Sequence, residues 1–348
     1  MQQPVGVVGA ITPWNFPANM ITRKIAPAMA AGCTVVLKPA SATPMTALAI
    51  ARCAQDAGLP AGVLNVVTGS RSRPMAEELL NNPLVKKIGF TGSTEVGKEL
   101  MEKAAKQIKR ISFELGGNAP FIIFDDADFN AALDGAIAMK FLRVGGQSCI
   151  CANRIFVQET IADRFIPAFV EKTKALKVGP GFEPGVKVGP LINEEARKNM
   201  RRYVDDAVKG GAKVLTGGKP MTDRGMEKGF FFEPTVLVNV KDDMPVCVEE
   251  TFGPVAPILT FKTEEEVIRR ANNTTYGLAA YFYSRDAARI IRVSEALEAG
   301  LIGANDAAGY THEIPFGGFK ESGLGREGGR EGIEEYMEVK SVVLNLGS

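Results

Sequence analysis

Lys87–Leu100 reads KIGFTGSTEVGKEL. The first five residues predict a strand over 87–91, GSTEVG is a tight turn, and a helix follows as far as Lys106. Such a turn presents backbone N–H groups and a helix N-terminus at the carboxyl end of a strand, where an anion is favoured. The spacing G-x-x-x-x-G-K comes close to a phosphate loop, but Glu99 stands where that loop needs a hydroxyl for magnesium, and the fingerprint G-x-G-x-x-G is absent. On its own the stretch reads either as a tight connection or as an anion site.

Working outward, the same grammar repeats. GVVGAI (6–11), TVVLK (34–38), VLNVV (63–67) and RISFEL (110–115) predict strands, with helices over about 20–31, 45–56 and 74–81 between them. Strands alternating with ten-residue helices imply βαβ units, hence an α/β fold with a mainly parallel, doubly covered sheet. Ligands of such sheets bind beyond the carboxyl ends of the strands, which draws in the turns TPWNFP and KPASATP.

A break at LGGNAP (115–120) opens a second α/β region. FIIF (121–124) and segments near 154–158, 212–216 and 279–284 predict strands, and 126–142, 160–176, 194–209 and 264–273 predict helices. The polar, glycine-rich PFGGFKESGLGREGGREG precedes MEVKSVVLNL (337–346), read as a strand that needs a partner edge inside the chain or in another subunit. The expected domains are 1–116, 117–322, and a loop and strand over 323–348.

A net charge of +1, with basic residues scattered among acids, argues against nucleic acid or an anionic membrane as main partner. No apolar run is long enough to cross a membrane, and MQQP lacks the features of a secretory signal. Five cysteines, an odd number in a long chain, suggest reduced thiols in a cytoplasmic setting. One histidine, His312, argues against a metal site or a Ser–His–Asp arrangement.

Three side chains stand out as chemistry candidates. Cys149, in GGQSCICANR (145–154), reads as a nucleophile or as a small core residue; a zinc site lacks the usual spacing, and a disulfide to Cys151 closes a very small ring. Glu114 ends an apolar strand before Leu115, Gly116 and Gly117, and reads as a buried general base or a turn carboxylate. Lys38 is a phosphate or ribose ligand, or merely a strand-end lysine.

The ordered set PWNFP (13–17), KPAS (38–41), FTGSTEVG (90–97), FELGG (113–117), GQSCICANR (146–154), EETFGP (249–254) and PFGGFKESGLGRE (315–327) resembles the aldehyde dehydrogenase superfamily over the whole chain. Within it the CxCANR and EETFGP segments look most like the succinate-semialdehyde dehydrogenases. The resemblance implies a Rossmann-like cofactor domain plus an α/β catalytic domain, lacking the portion that relatives carry upstream of PWNFP. It implies Cys149 as the nucleophile passing through a thiohemiacetal and a thioester, Asn15 in the oxyanion site and Glu114 as the base for water. Trp14, Asn15, Lys38, Pro39, Ala40, Ser41, Gly92, Ser93, Leu115, Glu250 and Phe252 match dinucleotide contacts. Ser41, where NAD-preferring relatives often carry an acid, favours NADP over NAD. Arg23 and Arg143 match arginines that take a distal carboxylate, and Cys151 matches the second thiol of a redox pair.

Tyr310 replaces an expected serine, and one residue is inserted between Phe141 and Cys149. These departures leave glutarate semialdehyde, 2-oxoglutarate semialdehyde or lactaldehyde as alternative substrates, and the missing upstream portion leaves an inactive nucleotide-binding fragment as the alternative function. A homodimer or homotetramer is expected.

Overall fold

The computed structural model describes residues 1–223, 225–307 and 311–347. Tyr310 lies outside them. The chain divides into two compact units, one of residues 1–115 with 311–318 and 322–347, the other of residues 116–307 with 319–321. Residues 311–318, expected in the second domain, and 323–347, expected as a separate tail, therefore pack in the first unit.

In the first unit, strands Val7–Ile11, Thr34–Lys38, Leu64–Val66, Val85–Thr91 and Arg110–Glu114 run parallel. Numbered in chain order they lie 3-2-1-4-5, and Gly323–Leu324 adds an antiparallel edge beside Arg110–Glu114. Strand residues alternate between two cores. Val8, Ala10, Val35 and Leu37 pack with Ile21, Ile25, Ala28 and Ala47 of helices Asn19–Ala30 and Pro44–Asp56. Ile11, Ile88, Phe90 and Phe113 pack with Leu79, Leu80, Leu100 and Ala104 of helices Ser72–Asn81 and Thr94–Ala105. Strand order thus reverses between Val7–Ile11 and Val85–Thr91, the place where a doubly wound sheet opens its ligand crevice.

In the second unit seven strands lie in the order Leu301–Ala304, Ala279–Tyr283, Ala119–Ile123, Ala152–Gln158, Val255–Phe261, Thr235–Val238, Lys213–Thr216, all parallel except the last. The Asp128 carboxylate caps helix Phe129–Ile137 by accepting from the N–H groups of Asn130 and Ala131. That helix continues as π-helix over Ala138–Leu142. Strand Val255–Phe261 escapes a reading of the sequence because Pro257 argues against a central strand. The ladder to Ala152–Gln158 begins only at Ile258, one residue beyond the proline.

The expected C-terminal strand is much shorter than 337–346. Met337–Val339 pairs antiparallel with Gln2–Pro4, and beyond Lys340 no strand among the described residues faces the chain. Val342, Val343, Leu344 and Leu346 are exposed there. No helix among the described residues is long and apolar enough to cross a membrane.

Candidate active site

The first unit carries a groove of about 500 Å³ at its strand-order reversal. Trp14, Lys38, Ala40, Ser41, Gly92 and Ser93 line it, together with Ser72 and Arg73. Asn15 follows Trp14 in the loop after the first strand, and Pro39 follows Lys38 after the second. Leu115 is buried beside the groove's helix, so close to Gly97 that a Cβ there would lie 2.5 Å from its Cδ2. Ser93 caps helix Thr94–Ala105 by accepting from Val96 N–H at 3.4 Å.

At the groove's mouth three polar side chains converge. Lys38 Nζ donates to Ser72 Oγ at 2.8 Å, and Ser41 Oγ donates to the Gly69 carbonyl at 2.8 Å while lying 3.5 Å from Ser72 Oγ. Burial lowers the Lys38 pKa. The hydroxyls of Thr12 and Thr91, at the ends of the two strands that flank the reversal, are buried without a hydrogen-bond partner among the described residues. Cationic, hydroxyl and unsatisfied polar groups at this crevice fit a phosphorylated dinucleotide. Ser72 was invisible to sequence reading because the start of its helix carries no motif; only folding brings it to Lys38.

Glu114 ends its strand opposite Gly323 and is 2 % exposed. Burial pushes its carboxyl well above the usual carboxylate range, the Glu327 carboxylate adds to that, and Lys24, Arg23 and Arg326 pull the other way. Its Oε2 has no hydrogen-bond partner among the described residues. Lys24 Nζ donates to Glu327 Oε1, and both are buried. The Arg23 guanidinium stacks on the Phe316 ring, 4.4 Å from its centroid.

In the second unit, helix Phe129–Ile137 and its π-helical extension lead through Arg143 and a 3₁₀ turn at Val144–Gly146 to the thiol segment. Val144, Gly145 and Gly146 all have positive φ, and a Cβ on Gly146 would lie 2.4 Å from the Gly253 carbonyl oxygen, so glycine is required there. Gln147 braces the turn: its amide donates to the carbonyls of Val144 at 3.1 Å and Pro190 at 3.3 Å, and its carbonyl accepts from Ile192 N–H at 2.9 Å. Cys149 is half-buried, as is Arg143. Two residues on, Cys151 is wholly buried, with Sγ 3.5 Å from Lys140 Nζ. Burial raises the Cys151 pKa. Neither thiol is in a disulfide.

Glu250 and Phe252, the two expected cofactor contacts of this unit, follow short helix Pro245–Val248. Glu250 Oε1 accepts from Gly117 N–H at 3.0 Å, and Phe252 is held at φ 36°. The Tyr203 hydroxyl donates to Glu249 Oε2 at 2.9 Å, next to Glu250 in the chain. The first unit thus gathers the expected groove residues with Glu114, Asn15 and Arg23, and the second gathers Cys149, Cys151, Arg143, Glu250 and Phe252.

The sequence profile of the aldehyde dehydrogenase family matches residues 1–342. The chain is 55 % identical over 346 residues to the succinate-semialdehyde dehydrogenase [NADP(+)] of Escherichia coli (strain K12), covering 99 % of this chain and 70 % of that protein. It is 54 % identical over 346 residues to a glutarate-semialdehyde dehydrogenase of Pseudomonas putida, with the same two coverages. A crystal structure of an E. coli NADP-dependent enzyme superposes with a TM-score of 0.95 at 55 % identity, over 98 % of this chain and 69 % of that one. With the groove at the strand reversal and the thiol turn both present, the chain belongs to the aldehyde dehydrogenase family.

Proposed function

We propose that the protein oxidises succinate semialdehyde to succinate with NADP, through an acyl intermediate on Cys149. One observation carries the chemistry: of the two thiols in the turn, Cys149 is open to solvent in part, whereas Cys151 is sealed against Lys140. Cys149 Sγ attacks the aldehyde carbon, giving a thiohemiacetal whose oxyanion is held by the Asn15 amide and the Cys149 N–H. NADP, when bound, supplies the acceptor for the hydride that leaves this carbon, so that a thioester remains on Cys149. Glu114 then removes a proton from the water that releases the acid, and burial, which raises its pKa, makes it a stronger base than an exposed carboxylate.

Lys38 and Ser41 hold the adenosine ribose and its 2′-phosphate, and Glu250 holds the nicotinamide ribose. Trp14, Asn15, Pro39, Ala40, Gly92, Ser93, Leu115 and Phe252 contribute further contacts. Arg23 and Arg143 take the distal carboxylate. The Pseudomonas relative and the residue inserted before Cys149 favour glutarate semialdehyde as the second reading. A Cys149–Cys151 redox pair requires Cys151 Sγ to leave Lys140, and a cytoplasmic, reducing setting suits the five free thiols. Self-association as a dimer or tetramer is supported by the exposed apolar side chains of Val342, Val343, Leu344 and Leu346.

The deciding experiment is a rate panel for the purified chain with succinate semialdehyde, glutarate semialdehyde and a neutral aldehyde, each with NADP and with NAD. The proposal expects the highest kcat/KM for succinate semialdehyde with NADP. Absence of any oxidation contradicts it.

A further inference from the structure

Lys140 sits in the apolar run AMKFL, within the π-helical stretch Ala138–Leu142. Its side chain is 0 % exposed, yet Nζ donates to Thr251 Oγ1 at 3.1 Å, to Asn153 Oδ1 at 3.2 Å and toward Cys151 Sγ at 3.5 Å. Thr251 Oγ1 also donates to Asn153 Oδ1, at 2.7 Å. Asn153 Nδ2 donates to the Gly117 carbonyl at 3.2 Å, and Gly117 N–H donates to Glu250 Oε1 at 3.0 Å. Because Glu250 and Thr251 are consecutive, these bonds close a ring through Lys140, Asn153, Gly117, Glu250 and Thr251. The ring runs directly beneath the thiol turn. Cys151 and Asn153 follow Cys149 in the chain, and Gly117 abuts the Cys149 carbonyl oxygen.

Packing does not explain the lysine. A buried ammonium is costly, and burial lowers the Lys140 pKa against the opposing pull of Cys151 and Glu250. A methionine fills a similar volume without that cost, and apolar replacements of buried polar groups are often neutral or stabilising. What the ammonium adds is three directed donors from one point, joining Cys151 and Asn153 to Thr251 beside the direct Thr251–Asn153 bond.

We propose that Lys140 is a positioning residue for the oxidation step: it holds the Glu250 carboxylate and the Cys149 turn in one register. The inference rests on the reading of Cys149 as nucleophile and Glu250 as a ribose ligand. π-Helical turns are often found at functional sites, and here the π stretch is the segment that carries Lys140.

The test is Lys140→Met in the full chain, read in two ways. Alkylation of Cys149 by iodoacetamide, followed by peptide mass mapping without cofactor, needs the thiol but not Glu250. Single-turnover NADPH formation needs both in register. The expected result is alkylation within about twofold of the parent and NADPH formation lower by roughly 30-fold, the scale of a small misplacement of reacting groups. Thr251→Val, which keeps the charge and removes the two hydrogen bonds of the Thr251 hydroxyl, loses less in the same direction, and the double variant is no worse than Lys140→Met alone. Equal losses in alkylation and oxidation, or no loss in either, overturn the proposal. If Lys140→Met does not fold, Thr251→Val carries the same two readouts. Failure of the underlying reading shows separately, as a Cys149→Ala protein that still oxidises aldehyde.

Discussion

The carbonyl oxygen of Cys149 lies where a side chain on Gly117 would begin: a Cβ at Gly117 falls 2.1 Å from it. No rotamer change relieves a backbone-to-backbone clash of that kind, so the turn itself must move. Gly117→Ala therefore displaces the thiol and lowers kcat by about 100-fold, the penalty typical of an ångström-scale misplacement. Steady-state assays beside a melting curve check this, and a parental kcat would show that the close approach does not position the thiol.

On the proposed function, cofactor choice follows from the Lys38–Ser72–Ser41 cluster. Ser41→Glu brings an anion to the place where the 2′-phosphate is expected, and shifts the NADP/NAD ratio of kcat/KM toward NAD by at least about tenfold, or ~1.4 kcal/mol. Ser72→Ala removes one neutral hydrogen bond worth about 1 kcal/mol and weakens 2′,5′-ADP binding by roughly fivefold, with 5′-AMP little changed. Calorimetric titration with the two nucleotides measures the difference. Equal losses for both place the cluster away from the 2′-phosphate.

A raised pKa at Glu114 has a definite sign in the pH profile. The base works only when ionised, so thioester hydrolysis rises with pH through an inflection above the ordinary carboxylate value of about 4.3. Glu327→Gln removes a neighbouring anion and releases the Lys24 ammonium from its pair, and both changes favour ionised Glu114. The inflection then moves down. Lys24→Met moves it up. An inflection that ignores both substitutions means that Glu114 is not the titrating base.

Much of the first unit was legible in the sequence, because each strand ends at a turn marked by glycine or proline and each helix has a distinct apolar face. The thiol turn, Glu114 and the EETFGP segment were legible as motifs. What escaped was set by closure in three dimensions. Lys140 in AMKFL reads as an ordinary interruption of an apolar helix, and only the fold shows its ammonium meeting Thr251 and Asn153. Glu327 and Lys24 lie 303 residues apart and form a buried pair that no local spacing announces. Strands Thr235–Val238 and Leu301–Ala304 are four residues long, too short for alternation to show. The alternation in 337–346 misled because a strand needs an edge, and only Met337–Val339 has one among the described residues.

The proposed carboxylate recognition separates the two arginines. Arg143→Ala raises KM for succinate semialdehyde at least tenfold more than KM for a neutral aldehyde of similar length, as expected when an Arg–carboxylate pair worth about 1.5–3 kcal/mol is lost. Arg23 is already stacked on Phe316, so Arg23→Ala loses packing as well as charge and raises both KM values. A substrate panel on both variants tests this, and equal ratios for Arg143→Ala rule out its role at the distal carboxylate.

Covalent capture at one sulfur is the step on which the rest depends. Protein mixed with succinate semialdehyde and NADP, quenched in acid within a turnover and analysed by mass spectrometry, measures it directly. The expected product is a succinyl adduct confined to the peptide that carries Cys149, absent in Cys149→Ala and accumulating in Glu114→Gln. An adduct elsewhere, or turnover of aldehyde by Cys149→Ala at the parental rate, would contradict it.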